Sequence, residues 1–311
     1  MITTDYKSRV LAAMAVARVN FMNSDTAFAK SLGINSSVYS RIKSGQTEGM
    51  LSDAKWLQIG RILDVKVFDK KWITARTEVY AKIESDLINC QQHSTALIMV
   101  DECGIGKTYC AKQVARGLKN AFYIDCSQAK TKQQFVRTLA RAVGVDSTGR
   151  YVDVKKDLKY TLAYLERALV ILDEAGDLDY TAFLELKELW NATEGTTGWY
   201  MMGADGLRAK IQRGISNKKV GYREIFDRFN NKFMKAVPSG TASKEEFYAI
   251  MIADVLAANL PESEHHQINE LIKQIMGTDS SELGGLRRAE TFVNLIKSQH
   301  AESTHAGYYP Q

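Results

Sequence analysis

The chain has 311 residues, of which 45% are hydrophobic and 25% are charged, a composition typical of a globular protein with two or three domains. No uncharged apolar run approaches the roughly 20 residues that cross a bilayer, and no signal-peptide cleavage site is evident. The four cysteines (Cys90, Cys103, Cys110 and Cys126) lack metal-binding spacing, which favours reduced thiols in a cytoplasm over a metal site or a disulfide framework.

The first seventy residues are predicted to form a separate, all-helical module. A helix over residues 6–22 precedes a helix-turn-helix pattern over residues 24–47. Ala29 permits a close helix crossing, and Gly33 supplies the turn that this motif needs.

The second helix of this pattern is the candidate reading helix. Asn35 or Ser36 is expected to cap it, since both side chains accept hydrogen bonds from helix N–H groups. It would present small polar side chains and two cations to a DNA major groove or to phosphates: Ser36, Ser37, Ser40, Arg41 and Lys43. A helical protein-interaction domain without DNA contact is the alternative.

Residues 100–108 (VDECGIGKT) resemble a phosphate loop. The apolar run 94–100 predicts a buried strand before it, and residues 108–119 predict a helix after it. A loop between strand and helix directs backbone N–H groups and the positive helix end toward an anion. Candidate nucleotide-binding residues are Cys103, Gly104, Ile105, Gly106, Lys107, Thr108 and Tyr109. An ordinary glycine-containing turn is the alternative interpretation.

Two side chains of this loop have distinct expected roles. Lys107 would reach the β- and γ-phosphates, and the Thr108 hydroxyl would complete a Mg²⁺ shell. Asp101 stands where the motif has its first glycine, and an acid near a triphosphate is unfavourable. Asp101 is therefore expected either to point away or to reduce affinity, and it could hydrogen-bond to nearby backbone N–H groups.

A second acidic motif follows at residues 168–176 (ALVILDEAG). Its apolar residues predict a buried strand that ends in Asp173 and Glu174, at the crevice where open α/β sheets bind ligands. Asp173 can hold Mg²⁺ through water, and Glu174 can orient and deprotonate the attacking water. A strand that ends in a solvated turn is the alternative.

The remaining elements alternate between strand and helix up to about residue 240. Strands are predicted at 120–125, 198–204 and 233–237, and helices at 71–90, 132–143, 154–167 and 184–192. From residue 243 the pattern is wholly helical, over 244–260, 262–276 and 283–299. Residues 301–311 have no periodicity and are expected to be loose.

The positive charge is concentrated between residues 206 and 235, which contain nine basic and two acidic residues. Residues 1–70 have a net charge of +4, and residues 239–311 have a net charge of −5. Such a distribution favours a surface that faces a polyanion, with an ordinary solvated face as the alternative.

The order of these motifs resembles that of the AAA+ ATPases. Within that family it is similar to the transposition ATPases typified by the B protein of bacteriophage Mu (MuB), and more loosely to TnsC and IstB. The resemblance implies an α/β fold: an AAA+ P-loop core with a C-terminal helical lid, preceded by a small all-α helix-turn-helix domain. The expected bounds are 1–70 for the first domain, 71–240 for the core, 241–300 for the lid and 301–311 for a disordered tail.

The family also implies arginine roles. The family has an arginine that reaches the γ-phosphate of the neighbouring subunit, and this arginine matches Arg228 in EIFDRF, with Arg223 as the second candidate. The family also has a sensor arginine in the lid, which matches Arg287 in GGLRR. Surface cations are the alternative for these positions. Ala204 stands where the family has a polar sensor, a departure that bears on the rate of hydrolysis.

The resemblance implies an ATP- and Mg²⁺-dependent ATPase of the bacterial cytoplasm. It would bind duplex DNA with little sequence preference, assemble head-to-tail into a helical filament, and recruit and activate a transposase. Candidate DNA contacts in the core are Lys130, Lys132, Lys155, Lys156, Lys210, Lys218 and Lys219. A helicase loader and an ATP-switched transcription regulator remain as alternatives.

Overall fold

The structure is a computed structural model that describes residues 2–19, 21, 24–67, 72–277 and 283–305, with side chains described up to residue 299. Its centre is a sheet of five parallel strands in the order β2-β3-β4-β1-β5. The strands are β1 (Ala96–Val100), β2 (Ala121–Asp125), β3 (Ala168–Asp173), β4 (Thr197–Gly203) and β5 (Phe233–Met234).

The register aligns the carboxyl ends of the central strands. Asp125 pairs with Asp173, and Val100 pairs with Gly203. The chain leaves β1 toward one side of the sheet and leaves β4 toward the other. Ligand crevices of open α/β sheets form where the connections diverge in this way.

The helices, in chain order, are α1 (Thr4–Arg18), α2 (Asp25–Ser31), α3 (Ser36–Lys43), α4 (Asp53–Ile62), α5 (Glu78–His93), α6 (Lys107–Gly117), α7 (Lys132–Val143), α8 (Tyr151–Tyr164), α9 (Tyr180–Ala192), α10 (Asp205–Ser216), α11 (Tyr222–Arg228), α12 (Thr241–Asn259), α13 (Ile268–Met276) and α14 (Leu286–His305). Helices α5, α6 and α12 share one apolar core with the sheet, and α7 to α11 share the other. Alternate residues of β3 point into the two cores, Val170 on one side and Ile171 on the other, so both faces of the sheet are covered.

Helices α1 to α4 form a bundle with its own core. Thr3 caps α1, and Asn35 caps α3 by accepting a hydrogen bond from the Ser37 N–H. The first helix lies earlier than the expected 6–22, and the sequence analysis did not anticipate α4. The bundle contacts the sheet domain, where the Phe21 ring lies so close to Gly144 that an added Cβ would be 2.6 Å away.

The C-terminal part is helical, as expected from residue 243 onward. Helices α12, α13 and α14 enclose a small apolar core that includes Leu256 and Val293. We refer to α12 to α14 as the C-terminal helices. Helix α14 continues to His305, five residues into the segment expected to be loose, and residues 306–311 lie outside the described residues.

In the part of the chain that the structure describes, none of the helices combines the length and apolarity that a membrane span requires. The four cysteines are free thiols, of which Cys103 is exposed. Burial raises the pKa of Cys90 and of Cys110 to about 12, so these two thiols stay protonated at neutral pH.

Candidate active site

The loop between β1 and α6 lies at the carboxyl edge of the sheet. Gly104 and Gly106 have φ angles of 79° and 91°, a left-handed conformation that glycine adopts without strain. Helix α6 begins at Lys107, so its free N–H groups and the positive end of its dipole face the loop. This backbone is suited to binding phosphate oxygens.

Lys107 is almost fully buried beneath this loop. Its ammonium donates hydrogen bonds to the carbonyl oxygens of Asp101, at 2.9 Å, and Glu102, at 2.6 Å. The cation is thus held by backbone dipoles within the loop, with one of its three N–H donors left over for an anion.

Asp173 is buried at the end of β3 and accepts three hydrogen bonds. The Thr108 hydroxyl and the Tyr123 hydroxyl both donate to its Oδ2, at 2.7 and 2.6 Å, and the Glu174 N–H donates to its Oδ1 at 2.9 Å. Burial first, and then the charge of Asp173, raise the pKa of Tyr123, so Tyr123 remains a donor. The structure therefore joins the two residues predicted to hold Mg²⁺ and adds Tyr123, which the sequence analysis missed.

Glu174 follows Asp173 and is exposed in the crevice. Its φ of 49° is unusual for a residue with a side chain, and such conformations cluster at functional sites. Partial desolvation first, and then the charge of Asp173, raise its pKa above the ordinary value, although Lys107 opposes the shift. A carboxylate with a raised pKa is a stronger base, as general-base catalysis requires.

Asp101 points away from the phosphate side of the loop. Its Oδ2 accepts hydrogen bonds from the N–H groups of Ala236, at 2.6 Å, and Val237, at 3.0 Å, and its Oδ1 accepts from Glu102. These two N–H groups face the carboxylate, which explains why β5 ends at Met234 and not at the expected residue 237. Of the alternatives for Asp101, the structure supports hydrogen bonding to backbone N–H groups.

Glu102, the next residue, contacts α12. Its Oε2 accepts from the Tyr248 hydroxyl at 2.8 Å, and its Oε1 lies 2.9 Å from the Lys244 ammonium. Burial raises the pKa of Glu102, but the hydrogen bonds from Lys244 and Tyr248 outweigh burial, and the net shift is downward. Neither α12 residue was predicted, because both are distant in sequence and match no motif.

The other predicted nucleotide-binding residues surround the loop. Cys103 is exposed, while Ile105 is buried in the core shared with α5 and α6. The Tyr109 side chain is 37% exposed, and its hydroxyl lies 2.6 Å from that of Thr74, in the segment before α5. Tyr109 thus links α6 to that segment.

The GGLRR sequence lies directly on the phosphate loop. The Leu286 N–H donates to the Gly104 carbonyl at 2.9 Å, and a Cβ added to Gly285 would lie 2.8 Å from the same oxygen. Arg287, the predicted sensor, is exposed in the first turn of α14, with no side-chain hydrogen bond or ion pair to any described residue. Its neighbour Arg288 instead donates to the Ile275 carbonyl at 2.9 Å.

Ala204 immediately precedes α10, at the carboxyl end of β4. It has no polar group for the sensor position. Arg208, one turn into α10, has its guanidinium 5.4 Å from the centre of the Phe233 ring, and its Nε is buried without a hydrogen-bond partner among the described residues. The sequence analysis had counted Arg208 only as one of the basic residues of 206–235.

Arg228 lies at the opposite, amino-terminal edge of the sheet. Its guanidinium is 5.1 Å from the centre of the Trp190 ring near the end of α9, and the Asn230 side chain donates to the carbonyl of Ala96, the first residue of β1. The five residues of β1 alone span roughly 13 Å. Arg228 is therefore remote from the phosphate loop of its own chain, and Arg223 is exposed on the same helix.

Several of the predicted DNA contacts gather around the loop that follows β3. The Lys130 ammonium lies 3.0 Å from Asp177, and that of Lys219 lies 3.9 Å from the centre of the Tyr180 ring. Lys218 is exposed beside Lys219. Residues from two separate segments thus form one basic surface, which we call the β3-loop surface (Lys130, Lys218 and Lys219).

Two of the predicted DNA contacts are lysines whose ammonium groups already bind other groups of the protein. Lys210 donates to the carbonyls of Gly176, at 2.8 Å, and Leu178, and burial lowers its pKa. Lys155 is paired with Glu185 and Glu188, and its side chain is only 19% exposed. Neither ammonium is free to meet a phosphate without losing these partners, a feature that the charge pattern did not reveal.

The other predicted contacts are dispersed. The Lys132 ammonium lies 5.7 Å from the centre of the Tyr151 ring, and Lys156 is exposed on α8. On α3 the hydroxyl of Ser37 donates to Asn35. Ser36 and Ser40 are exposed, while Arg41 hydrogen-bonds to Gln46 and Lys43 pairs with Asp25. The face of α3 remains open to solvent.

The donor set fits a nucleoside triphosphate with Mg²⁺. The loop N–H groups and Lys107 are suited to phosphate oxygens, and Thr108 and Asp173 supply two oxygen ligands. No cluster of three or more His, Cys, Asp or Glu residues suited to a metal occurs among the described residues. This is consistent with a Mg²⁺ site completed by phosphate and water.

Comparison with known proteins agrees with this geometry. Residues 90–211 match the family model described as AAA domain. The match covers 122 of the 311 residues, less than half of the chain. No curated protein has a sequence similar enough to match. Domains of this type bind ATP with Mg²⁺, so the match, the parallel sheet and the site support a P-loop ATPase core.

Proposed function

We propose that the protein is an ATP-dependent AAA+ ATPase that binds duplex DNA with little sequence preference, assembles head-to-tail on it, and recruits and activates a transposase. ATP binding would build the filament, and hydrolysis would release it. The observation that carries this proposal is the separation of Arg228 from the phosphate loop by the length of the sheet. Such an arginine complements the site of another subunit, and a heterologous contact that does not close gives a helical filament.

DNA binding is supported by the β3-loop surface. Its three lysines come from the segment before α7 and the turn between α10 and α11, and none of them is fully buried. A surface of this kind would bind phosphates, which positions a protein on DNA without reading its sequence. The exposed face of α3 offers a second contact with DNA.

The transposase as partner rests on the order of motifs alone, in which a helical module precedes an AAA+ core and C-terminal helices. A helicase loader would share the core and the sequence-tolerant DNA binding. A transcription regulator would place tight, sequence-specific binding in residues 1–70. Binding of a purified transposase, compared with that of a replicative helicase, distinguishes the first two.

A salt titration tests the DNA contact. The full chain with ATP should bind random duplex DNA with an affinity that falls steeply with salt, by a slope of log K against log[salt] near −3.6 for about four phosphate contacts. Lys218→Glu with Lys219→Glu should flatten this slope. The control, Lys119→Glu with Lys273→Glu, changes the net charge equally at exposed sites away from the β3-loop surface and should leave the slope intact.

Two outcomes contradict the proposal. If both double variants flatten the salt slope equally, the change in slope depends on net charge alone and not on the β3-loop surface. Binding that ignores random DNA but selects one genomic site, with or without ATP, would favour the transcription regulator.

A further inference from the structure

The phosphate loop is attached to the C-terminal part of the chain through the residue that departs from the motif. Asp101 is 4% exposed, and its carboxylate accepts hydrogen bonds from the N–H groups of Ala236 and Val237, at 2.6 and 3.0 Å. Hydrogen bonds to a charged acceptor are about twice as strong as neutral ones. Residues 236–237 lie between β5 and α12, where the sheet domain passes into the C-terminal helices.

Two further contacts connect the same loop to the C-terminal helices. Glu102 is bound by Lys244 and Tyr248 of α12, and the Gly104 carbonyl by the N–H of Leu286 at the start of α14. Three loop residues within a stretch of four thus hold three separate points of the C-terminal part. A shift of this loop displaces all three points together.

Lys107 connects these attachments to phosphate binding. Its ammonium donates hydrogen bonds to the carbonyls of Asp101 and Glu102. The side chains of these same two residues bind residues 236–237 and α12, respectively. A phosphate in the loop would accept from the remaining N–H of the same ammonium. Any movement of Lys107 toward a phosphate therefore changes the forces on both attachment residues.

We propose that Asp101 is a positioning residue that couples the phosphate loop to the C-terminal helices through the N–H groups of Ala236 and Val237. The inference rests on the proposed ATPase function, because it concerns the response of the loop to ATP. On this account, the aspartate at the first glycine position of the motif provides a coupling that glycine could not provide. Restoring the motif with glycine removes the coupling.

The test compares Asp101→Gly with the parent chain by ATP titration and amide hydrogen exchange. The glycine variant should bind ATP about tenfold more weakly despite its better match to the motif, and amides 236 and 237 should lose about tenfold in protection. ATP should change exchange across α12 in the parent and should fail to do so in the variant. Asp101→Asn, whose amide oxygen still accepts, should be intermediate.

Two further variants distinguish a general loss of stability from the loss of coupling. Asp86→Asn alters another buried carboxylate, which is bound by Lys82 and Tyr200 on α5 and β4, so it should lower the melting temperature without uncoupling α12 from ATP. Ala236→Pro removes the shorter of the two hydrogen bonds from the partner side. It should reproduce the uncoupling, and it carries the test if Asp101→Gly does not fold.

The inference is overturned if a folded variant lacking either partner binds ATP within about twofold of the parent and keeps the response of α12. Failure of the ATPase proposal gives a different result, because the parent itself would then bind no ATP. The protection of amides 236 and 237 in the parent, measured without nucleotide, reports on the hydrogen bonds independently of that outcome.

Discussion

At the scale of single residues, Glu174 combines three properties that suit a catalytic base. It is exposed in the crevice, its backbone is left-handed, and its pKa is raised by partial desolvation and by Asp173. Asp173 is buried and accepts three hydrogen bonds, whereas Glu174 is exposed, so neighbouring acids in the sequence can take separate tasks.

Glu174→Gln should bind ATP normally and hydrolyse it at least about tenfold more slowly, because the amide keeps the shape and loses the base. In the parent chain, hydrolysis should fall as pH drops through the raised pKa of Glu174, since protonation removes the base. This acid limb should therefore lie above pH 4.5, the ordinary value for glutamate. Phosphate release across a pH series measures both effects, and unchanged turnover in the variant would remove Glu174 from this role.

Tyr123→Phe should weaken Mg²⁺ activation by about tenfold, the lower end of the usual cost of losing a group that orients a metal ligand. The change removes one of the two hydroxyls that hold Oδ2 of Asp173. Hydrolysis measured against Mg²⁺ concentration at saturating ATP gives the shift. Tyr164→Phe makes the same chemical change at a side chain that is 72% exposed and should behave as the parent does. Equal behaviour of both variants would contradict the role of Tyr123.

The sequence predicted the loop and the acidic pair because their chemistry lies within short, contiguous motifs. Thr108 and Asp173 were expected in one site and are in contact. The partners of Asp101 could not be predicted, because the carboxylate bonds to backbone N–H groups 135 and 136 residues away, and backbone groups have no sequence signature. The engagement of Lys155 and Lys210 was hidden for the same reason, since charge counts do not reveal pairing.

At the scale of elements, glycine explains how α14 approaches the phosphate loop. A Cβ on Gly285 would lie 2.8 Å from the Gly104 carbonyl, a distance that requires backbone movement. Gly285→Ala should therefore displace the start of α14 and weaken ATP binding about three- to tenfold, with the hydrogen bond from Leu286 lost. Isothermal titration with ATP measures the change.

Gly206→Ala is the matched control for this prediction. Gly206 lies in the first turn of α10, and an added Cβ would meet nothing within 4 Å. Alanine there should leave ATP binding unchanged and stabilise the protein by about 0.4–1 kcal/mol, because alanine reduces the entropy of the unfolded chain. Equal losses of ATP affinity in the two variants would show that the Gly285 contact is not specific.

Helices and strands with strong periodicity were predicted well, and their ends less so. Helix α7 has the expected bounds, 132–143, because Thr131 caps its start and Gly144 its end. Helix α8 was expected over 154–167 and ends at Tyr164, because the backbone is extended at Leu165 and Arg167 has a positive φ. Tertiary contacts impose such ends, so periodicity alone cannot locate them.

At the scale of the whole molecule, the predicted site residues are divided between the two edges of the sheet. The phosphate loop, Asp173 and Glu174 lie at the carboxyl edge, and Arg228 lies at the amino edge. Arg228 comes just before β5, and since all five strands are parallel, the start of β5 lies at the amino edge. The strand predicted at 233–237 therefore implied this position once the sheet was parallel. The family resemblance supplied its role, and the fold supplies a position consistent with that role.

Mixing two inactive variants tests whether Arg228 acts between subunits. Arg228→Ala should lower hydrolysis by roughly 10³–10⁵, as other arginine fingers do, while leaving nucleotide binding close to normal. Lys107→Ala should also be inactive. An equal mixture should recover activity at about a quarter of the junctions, those that pair an intact loop with an intact arginine. If mixtures of Arg228→Ala with Lys107→Ala recover no activity at any ratio, and mixtures of Arg223→Ala with Lys107→Ala do, then Arg223 is the arginine that acts between subunits.

The position of Arg228 on the far edge of the sheet has an arithmetical consequence for the head-to-tail assembly that we propose. Each subunit contributes half of one catalytic centre at its front and half of another at its back, so an open row always contains one complete centre fewer than it has members. A pair works at half capacity, and a long row approaches full capacity. The subunit at one end keeps its nucleotide until a newcomer arrives, which gives the row a persistent growing tip and makes turnover per subunit a measure of row length.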